Sequence, residues 1–162
     1  MVRQAQAAIG FGNALGELTV EVFRVNSLLL SAGDDLTRDL GLSSARWQVL
    51  GALELAGRPL TVSQIARNMG LVRQSVQRIA DDLARDGFVS YGSNPDHRRA
   101  KLVIPTKSGR GGFIAAMRRQ ESWTREVTSS ARLSDSKLRD AASTLRALRQ
   151  SLKGNVPNDQ AD

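Results

Sequence analysis

The stretch from Thr61 to Pro105 constrains this chain more than any other part of its sequence. Thr61-Val62-Ser63-Gln64 forms a capping box, in which the Thr hydroxyl and the Gln side chain each satisfy a backbone N–H at a helix start. A short helix over about 62–68 follows, with Ile65, Ala66 and Met69 turned inward, and Gly70 makes a turn. The spacing then predicts a helix over about 72–86 with Val72, Val76, Ile79, Ala80 and Leu83 on one face, stopped by Gly87. Phe88–Tyr91 reads as a short strand, and Gly92-Ser93-Asn94-Pro95-Asp96 is dense in turn formers. Lys101–Ile104 reads as the returning strand, ended by Pro105, so a β-hairpin with its tip near 93–99 is expected.

A capped short helix, a glycine turn, a second helix and a hairpin make a winged helix-turn-helix. The expected fold class is mainly α with a small β-hairpin wing (α+β). Two long helical seams flank this segment. Phe11, Leu15, Leu18, Val22, Val25 and Leu29 are spaced 4, 3, 4, 3, 4 over a helix at 11–30, which Gly33-Asp34-Asp35 is expected to end. Leu138, Ala141, Leu145, Leu148 and Leu152 repeat the pattern on a final helix at about 135–153, capped by Ser134. Between them, Ser43 caps a helix over 44–56 with Trp47, Leu50 and Leu53 inward and Gly57 at its end, while residues 107–130 read as a helix weakened at its start by Gly109, Gly111 and Gly112. Residues 154–162 read as a frayed tail.

The charge is concentrated. The chain carries 23 Lys and Arg against 16 Asp and Glu, a net +7. Residues 58–110 hold ten basic and four acidic residues, whereas residues 1–57 hold four basic and six acidic. That placement argues for an electrostatic footprint on a polyanion. Opposite the apolar face of the 72–86 helix stand Arg73, Gln74, Gln77 and Arg78, the side-chain types that pair with guanine and adenine edges in the major groove. Ser75 adds a hydroxyl that reaches a phosphate or base. Asp81, Asp82 and Asp86 come later, so the helix is expected to enter the groove by its N-terminal end. His97, Arg98, Arg99 and Lys101 crowd the hairpin tip, where long cations fit a narrow minor groove or a phosphate.

Other chemistries are poorly supported. With no cysteine and one histidine, a thiolate zinc site, a disulfide scaffold and two-histidine catalysis are excluded; no metal site and no cofactor are expected. The glycines at 109, 111 and 112 lack the Lys-Ser or Lys-Thr of a phosphate loop, and no nucleophile–base pair can be assembled without the tip residue His97, so an enzyme is not expected. Arg118-Arg119 reads as a solvated helical face. No stretch approaches the roughly 18 apolar residues of a membrane span, and the N-terminus lacks a secretory pattern, so a cytoplasmic chain with no membrane partner is expected.

The segments Arg46-Trp47-Gln48-Val49-Leu50, Pro59-Leu60-Thr61 to Gly70, Arg78 to Gly87 and Asp96 to Gly109 resemble the MarR family of bacterial regulators. The resemblance covers nearly the whole chain, with its specific part at 44–110. It implies a single domain over 1–162, with dimerisation helices at 8–32 and 107–153 that intertwine with a second copy, and a winged DNA-binding region at 44–106. It further implies a recognition helix at about 72–86 and a wing arginine at Arg99. The family's usual acidic residue two places before that arginine is replaced here by His97, with Asp96 one place early, and Pro105 stands where the family usually has Leu. The helix opened by Trp47 borders the effector crevice in this family, which makes Phe23, Arg46 and Trp47 candidate ligand residues. The function expected is a homodimeric, sequence-specific regulator of double-stranded DNA, a repressor relieved by a small aromatic or phenolic effector. The alternative is a protein-interaction module on the same fold without DNA readout, against which the basic middle segment argues.

Overall fold

The computed structural model describes residues 13–97 and 99–155. Phe11, at the head of the first seam, the wing residue Arg98 and the tail from 156 lie outside them. The elements run α1 (Ala14–Thr37), a 3-10 turn (Arg38–Leu40), α2 (Ser44–Ala56), β1 (Leu60–Thr61), α3 (Val62–Met69), α4 (Arg73–Arg85), β2 (Val89–Gly92), β3 (Leu102–Pro105), α5 (Lys107–Ser130) and α6 (Asp135–Asn155). The chain divides into two compact units after Gln120, inside α5. Among the described residues, six helices and one small antiparallel sheet confirm the expected winged-helix class.

In the first unit the core is built by α2, α3, α4 and the sheet. Val49, Leu50 and Leu53 of α2 pack with Ile65 of α3, Val76, Ala80 and Leu83 of α4, and Val89 and Val103 of the strands, all essentially inaccessible to solvent. Trp47, read as inward, is half-buried. Predicted caps form: Ser43 accepts from the Arg46 N–H, and Thr61 and Gln64 close both bonds of the capping box. Gly70 and Gly87 adopt left-handed φ of 67° and 77° at the ends of α3 and α4, conformations costly for residues with a Cβ.

Four expectations are corrected. First, α1 does not end at Gly33-Asp34-Asp35 but continues to Thr37. The reason is tertiary. Asp34 Oδ1 accepts the Ser44 N–H at 2.6 Å, the Thr37 hydroxyl donates to Gly33 and Leu42 carbonyls, and Gly33 lies so close to α2 that a Cβ there would sit 2.7 Å from Ser44 Oγ. The residues read as a stop are docking contacts. Second, Val72 is not on the buried face; it is the N-cap of α4 and 62% exposed. Third, the hairpin strands lie one residue later than read, and Pro105 is the last paired residue of β3, opposite Val89, where its missing N–H costs no ladder bond. Fourth, the sheet has a third strand. Leu60 and Thr61 pair with Val103 and Leu102, giving the order β1-β3-β2. A two-residue strand has no period to detect.

Gly109, Gly111 and Gly112 do not break α5. At Gly109 a Cβ would collide with the Phe88 carbonyl oxygen, so glycine there allows α5 to start hard against β2. Thr106 secures the same junction: its backbone N–H and its hydroxyl reach the Phe88 carbonyl, the hydroxyl also donates to the Gly87 carbonyl at 2.7 Å, and it accepts the Gly109 N–H.

Along α1 the seam residues Leu15, Val22, Val25 and Leu29 stay exposed, as do Phe23 and Leu28 at 69% and 70%. In the second unit α6 is capped by Ser134, which accepts the Lys137 N–H, and Leu138, Leu145 and Leu152 are exposed. No described helix is long and apolar enough to cross a membrane.

Candidate nucleic-acid interface

The N-terminal half of α4 is open to solvent. Arg73, Gln74, Ser75 and Arg78 are all exposed, while Val76 and Ala80 on the opposite side are buried. Unlike α1, α2 and α3, this helix has no side-chain cap, because its N-cap is Val72. Its first N–H groups therefore keep their capacity for an outside acceptor, and the helix dipole favours an anion there. Arg73 adds a full positive charge in the same turn.

The acidic half of α4 is engaged internally, with Asp81 keeping its charge. Asp82 pairs with Arg85 at 2.6 Å, Asp86 pairs with Arg46, and Asp81 accepts the Tyr91 hydroxyl at 2.6 Å. Burial first, and the Asp81 carboxylate second, hold the Tyr91 hydroxyl well above its usual pKa, so the phenol keeps its proton and donates. Gln77 Nε2 donates to both Asp81 Oδ1 and Tyr91 Oη at 3.0 Å. The predicted base-reading residue is thus half-buried and braced against the wing.

On the wing, the backbone turn is closed by Asn94, whose Oδ1 accepts the Asp96 N–H and whose carbonyl accepts the His97 N–H; Ala100 bonds back to His97. His97, Arg99 and Lys101 are exposed. Between wing and helix lies a cleft of about 250 Å³, lined by Thr61, Val62 and Ser63 at the start of α3, by Arg73, Gln77 and Asp81 of α4, and by Tyr91, Arg99, Ala100 and Lys101 of the wing. Three cations thus converge on one concave surface. Of the predicted DNA-facing residues, the structure brings together Arg73, Gln77, Arg99 and Lys101 here; Gln74, Ser75, Arg78 and His97 are exposed but do not line the cleft.

The sequence reading missed Asp81 and Tyr91 as partners of Gln77. The signal was present in part, since Gln77 and Asp81 are four apart on a helix and so share a face; the Tyr91 contact is tertiary and leaves no local pattern.

The three candidate effector residues have different surroundings. Phe23 projects from α1 into solvent, and Trp47 is half-buried on α2. Arg46, only 19% exposed, is committed: its guanidinium donates to the Gly41 and Asp82 carbonyls, pairs with Asp86 and stacks 5.4 Å over the Phe88 ring. It ties α2 to the C-terminal end of α4. Arg119, read as a solvated face, instead holds Asp39 with both nitrogens and donates to the Leu36 carbonyl. That guanidinium lowers the Asp39 carboxyl below its usual range.

Comparison with known proteins bears on this geometry. A MarR family model matches residues 40–100. An uncharacterized protein of Mycobacterium tuberculosis is 40% identical over 96 residues, 59% of this chain; the chain spans 66% of that relative's length. The transcriptional activatory protein BadR of Rhodopseudomonas palustris is 30% identical over 95 residues, covering 57% of this chain and 54% of its own length. The crystal structure of the M. tuberculosis transcriptional regulator MosR in complex with DNA aligns with a TM-score of 0.67 at 25% identity, covering 82% of this chain and 96% of that one. The family model matches the winged segment at residues 40–100, and the solved regulator shares the winged-helix fold.

Proposed function

We propose that the protein is a homodimeric, sequence-specific double-stranded DNA-binding transcriptional regulator, acting as a repressor that a small aromatic or phenolic effector relieves. The observation that carries the DNA-binding reading is the convergence of Arg73, Arg99 and Lys101 on the cleft beside the uncapped start of α4. In this reading Arg73, Gln74 and Gln77 contact base edges in the major groove, Ser75 and Arg78 contact base or phosphate, and the wing residues His97, Arg98, Arg99 and Lys101 reach the flanking minor groove or its phosphates. The bound sequence is pseudo-palindromic, with half-sites about 10 base pairs apart.

The exposed apolar residues of α1 and of α6 support the dimer, since soluble monomers rarely expose contiguous apolar stripes of this kind. The bonding of Arg46 supports the effector reading. A ligand at Phe23, Arg46 and Trp47 that engaged the guanidinium would compete with Asp86 and the Asp82 carbonyl, and so act on the end of the recognition helix.

The test is binding to genomic fragments by fluorescence anisotropy, with sedimentation on the same samples. The expected result is a dimer that retains a subset of fragments against competitor DNA. For Arg99→Ala the expected result is weaker binding to every sequence and a salt slope reduced by about one per subunit. A 17.6 kDa monomer at micromolar concentration, or an unchanged salt slope, would overturn the dimer or the wing assignment respectively.

A further inference from the structure

Gln77 is braced by two neighbours, Asp81 and Tyr91. A free glutamine amide presents either end to DNA, since rotating it by half a turn exchanges its donor nitrogen for its acceptor oxygen. At Gln77 that freedom is removed. The Asp81 carboxylate 3.0 Å away only accepts hydrogen bonds, so the amide end facing it must be the nitrogen. The Tyr91 hydroxyl, whose proton goes to Asp81, turns its oxygen lone pair to the same nitrogen at 3.0 Å. Those two acceptors are only 2.6 Å apart, far closer than the two diverging N–H bonds of one amide point, so one N–H is shared between them. Repulsion from the carboxylate turns the amide oxygen away, which makes the shared N–H the one remote from that oxygen. The oxygen and the N–H beside it form the outward edge.

We infer that Tyr91 and Asp81 are positioning residues that lock Gln77 in the orientation that reads adenine and rejects guanine. The outward edge accepts from a base amino group and donates to a ring nitrogen, the pattern matched by adenine N6 and N7. Guanine offers only acceptors, N7 and O6, along that edge, so its O6 would meet the amide oxygen. An unbraced glutamine escapes this clash by turning its nitrogen to guanine; Gln77 cannot without leaving Asp81. The wing thereby sets base specificity through a residue that itself touches no base. This inference rests on the DNA-binding reading above.

The experiment selects a preferred site from a random duplex library with the full-length wild-type protein. It then measures the affinities of all four bases at each position for wild type, Gln77→Ala, Asp81→Asn and Tyr91→Phe. The expected result is one position per half-site that carries adenine, where guanine costs about tenfold or more, and where Gln77→Ala abolishes the preference. Asp81→Asn replaces the acceptor-only group with one that can face either end of the amide. It should bring adenine and guanine to within about threefold of each other, even though removing the negative charge raises affinity for all sequences. Tyr91→Phe should reduce the guanine penalty by a smaller factor. A merely structural role for Asp81 would change all affinities together and leave that ratio alone. Guanine at the position governed by Gln77, a ratio unchanged in Asp81→Asn, or no position governed by Gln77 would overturn the inference alone. Failure to recover any preferred sequence would overturn the DNA-binding reading and the inference with it.

Discussion

The winged segment and helix α1 divide the apolar residues of this chain in opposite ways. From α2 to β3, the apolar positions of helices and strands other than the exposed Leu55 meet one another, and Leu50, Ile65, Val76, Leu83 and Val103 see almost no solvent. Along α1, a stripe just as regular ends in water at Leu15, Val22, Val25 and Leu29. The difference teaches that periodicity identifies an amphipathic element but not what covers it. The winged segment supplies its own cover, whereas α1 retains an apolar face that only a second surface can bury.

Substitutions test that contrast most sharply in the core. Leu50→Ala should destabilise the protein by about 2–5 kcal/mol in urea denaturation, because neighbours on every side hold the cavity open. Phe23→Ala, which removes a larger side chain from an exposed position, should change single-chain stability by less than about 0.5 kcal/mol. Comparable losses from the two would erase the distinction between the regions. Gly109→Ala comes next. A methyl group driven against the Phe88 carbonyl should cost about 1–3 kcal/mol by the same measurement, despite the higher helix propensity of alanine, and a stabilised variant would show the junction to be loose. Thr61→Ala removes half of the capping box and should cost about 1 kcal/mol.

The smallest effect concerns acid. Asp39 has its carboxyl lowered by Arg119, so in the folded state it holds its proton less tightly than in the unfolded chain. Its contribution is therefore present above its ordinary carboxylate range and lost as pH falls through and below it. Because both side chains are open to water, salt should screen the contribution. Asp39→Asn should lower the melting temperature only slightly at neutral pH and low salt, with no difference from wild type at pH 2; a difference that persisted there would assign the effect to something other than charge.

The sequence made legible what depends on local rules. The capping box at Thr61, the glycines at 70 and 87, and the α2 and α5 boundaries follow from hydrogen bonds and backbone angles set within a few residues. What escaped is held by distant partners. Asp34 looked like a helix terminator because nothing local reveals that Ser44 needs its carboxylate. Val72 fitted the apolar face of its helix by spacing, yet its place is the first residue before the helix. At the candidate site, Arg73, Gln77, Arg99 and Lys101 were legible by type and position. The Tyr91–Asp81 brace was not, because it joins a strand to a helix across a fold that has to exist first.

The clamp at Thr106 gives the wing the mechanics of a cantilever. The root of the hairpin is fixed, where Thr106 binds the carbonyls of Gly87 and Phe88 and Val89 pairs with Pro105. A second support stands partway along, where Tyr91 leans on Asp81 and Gln77. Only the overhang beyond Gly92 projects past both supports. A beam so held yields chiefly in its overhang, and the stiffness of the overhang falls as it lengthens. Inserted residues between Asn94 and Ala100 would therefore leave the folded core undisturbed while softening the delivery of Arg99, whereas loss of the midway support would lengthen the overhang without adding a residue.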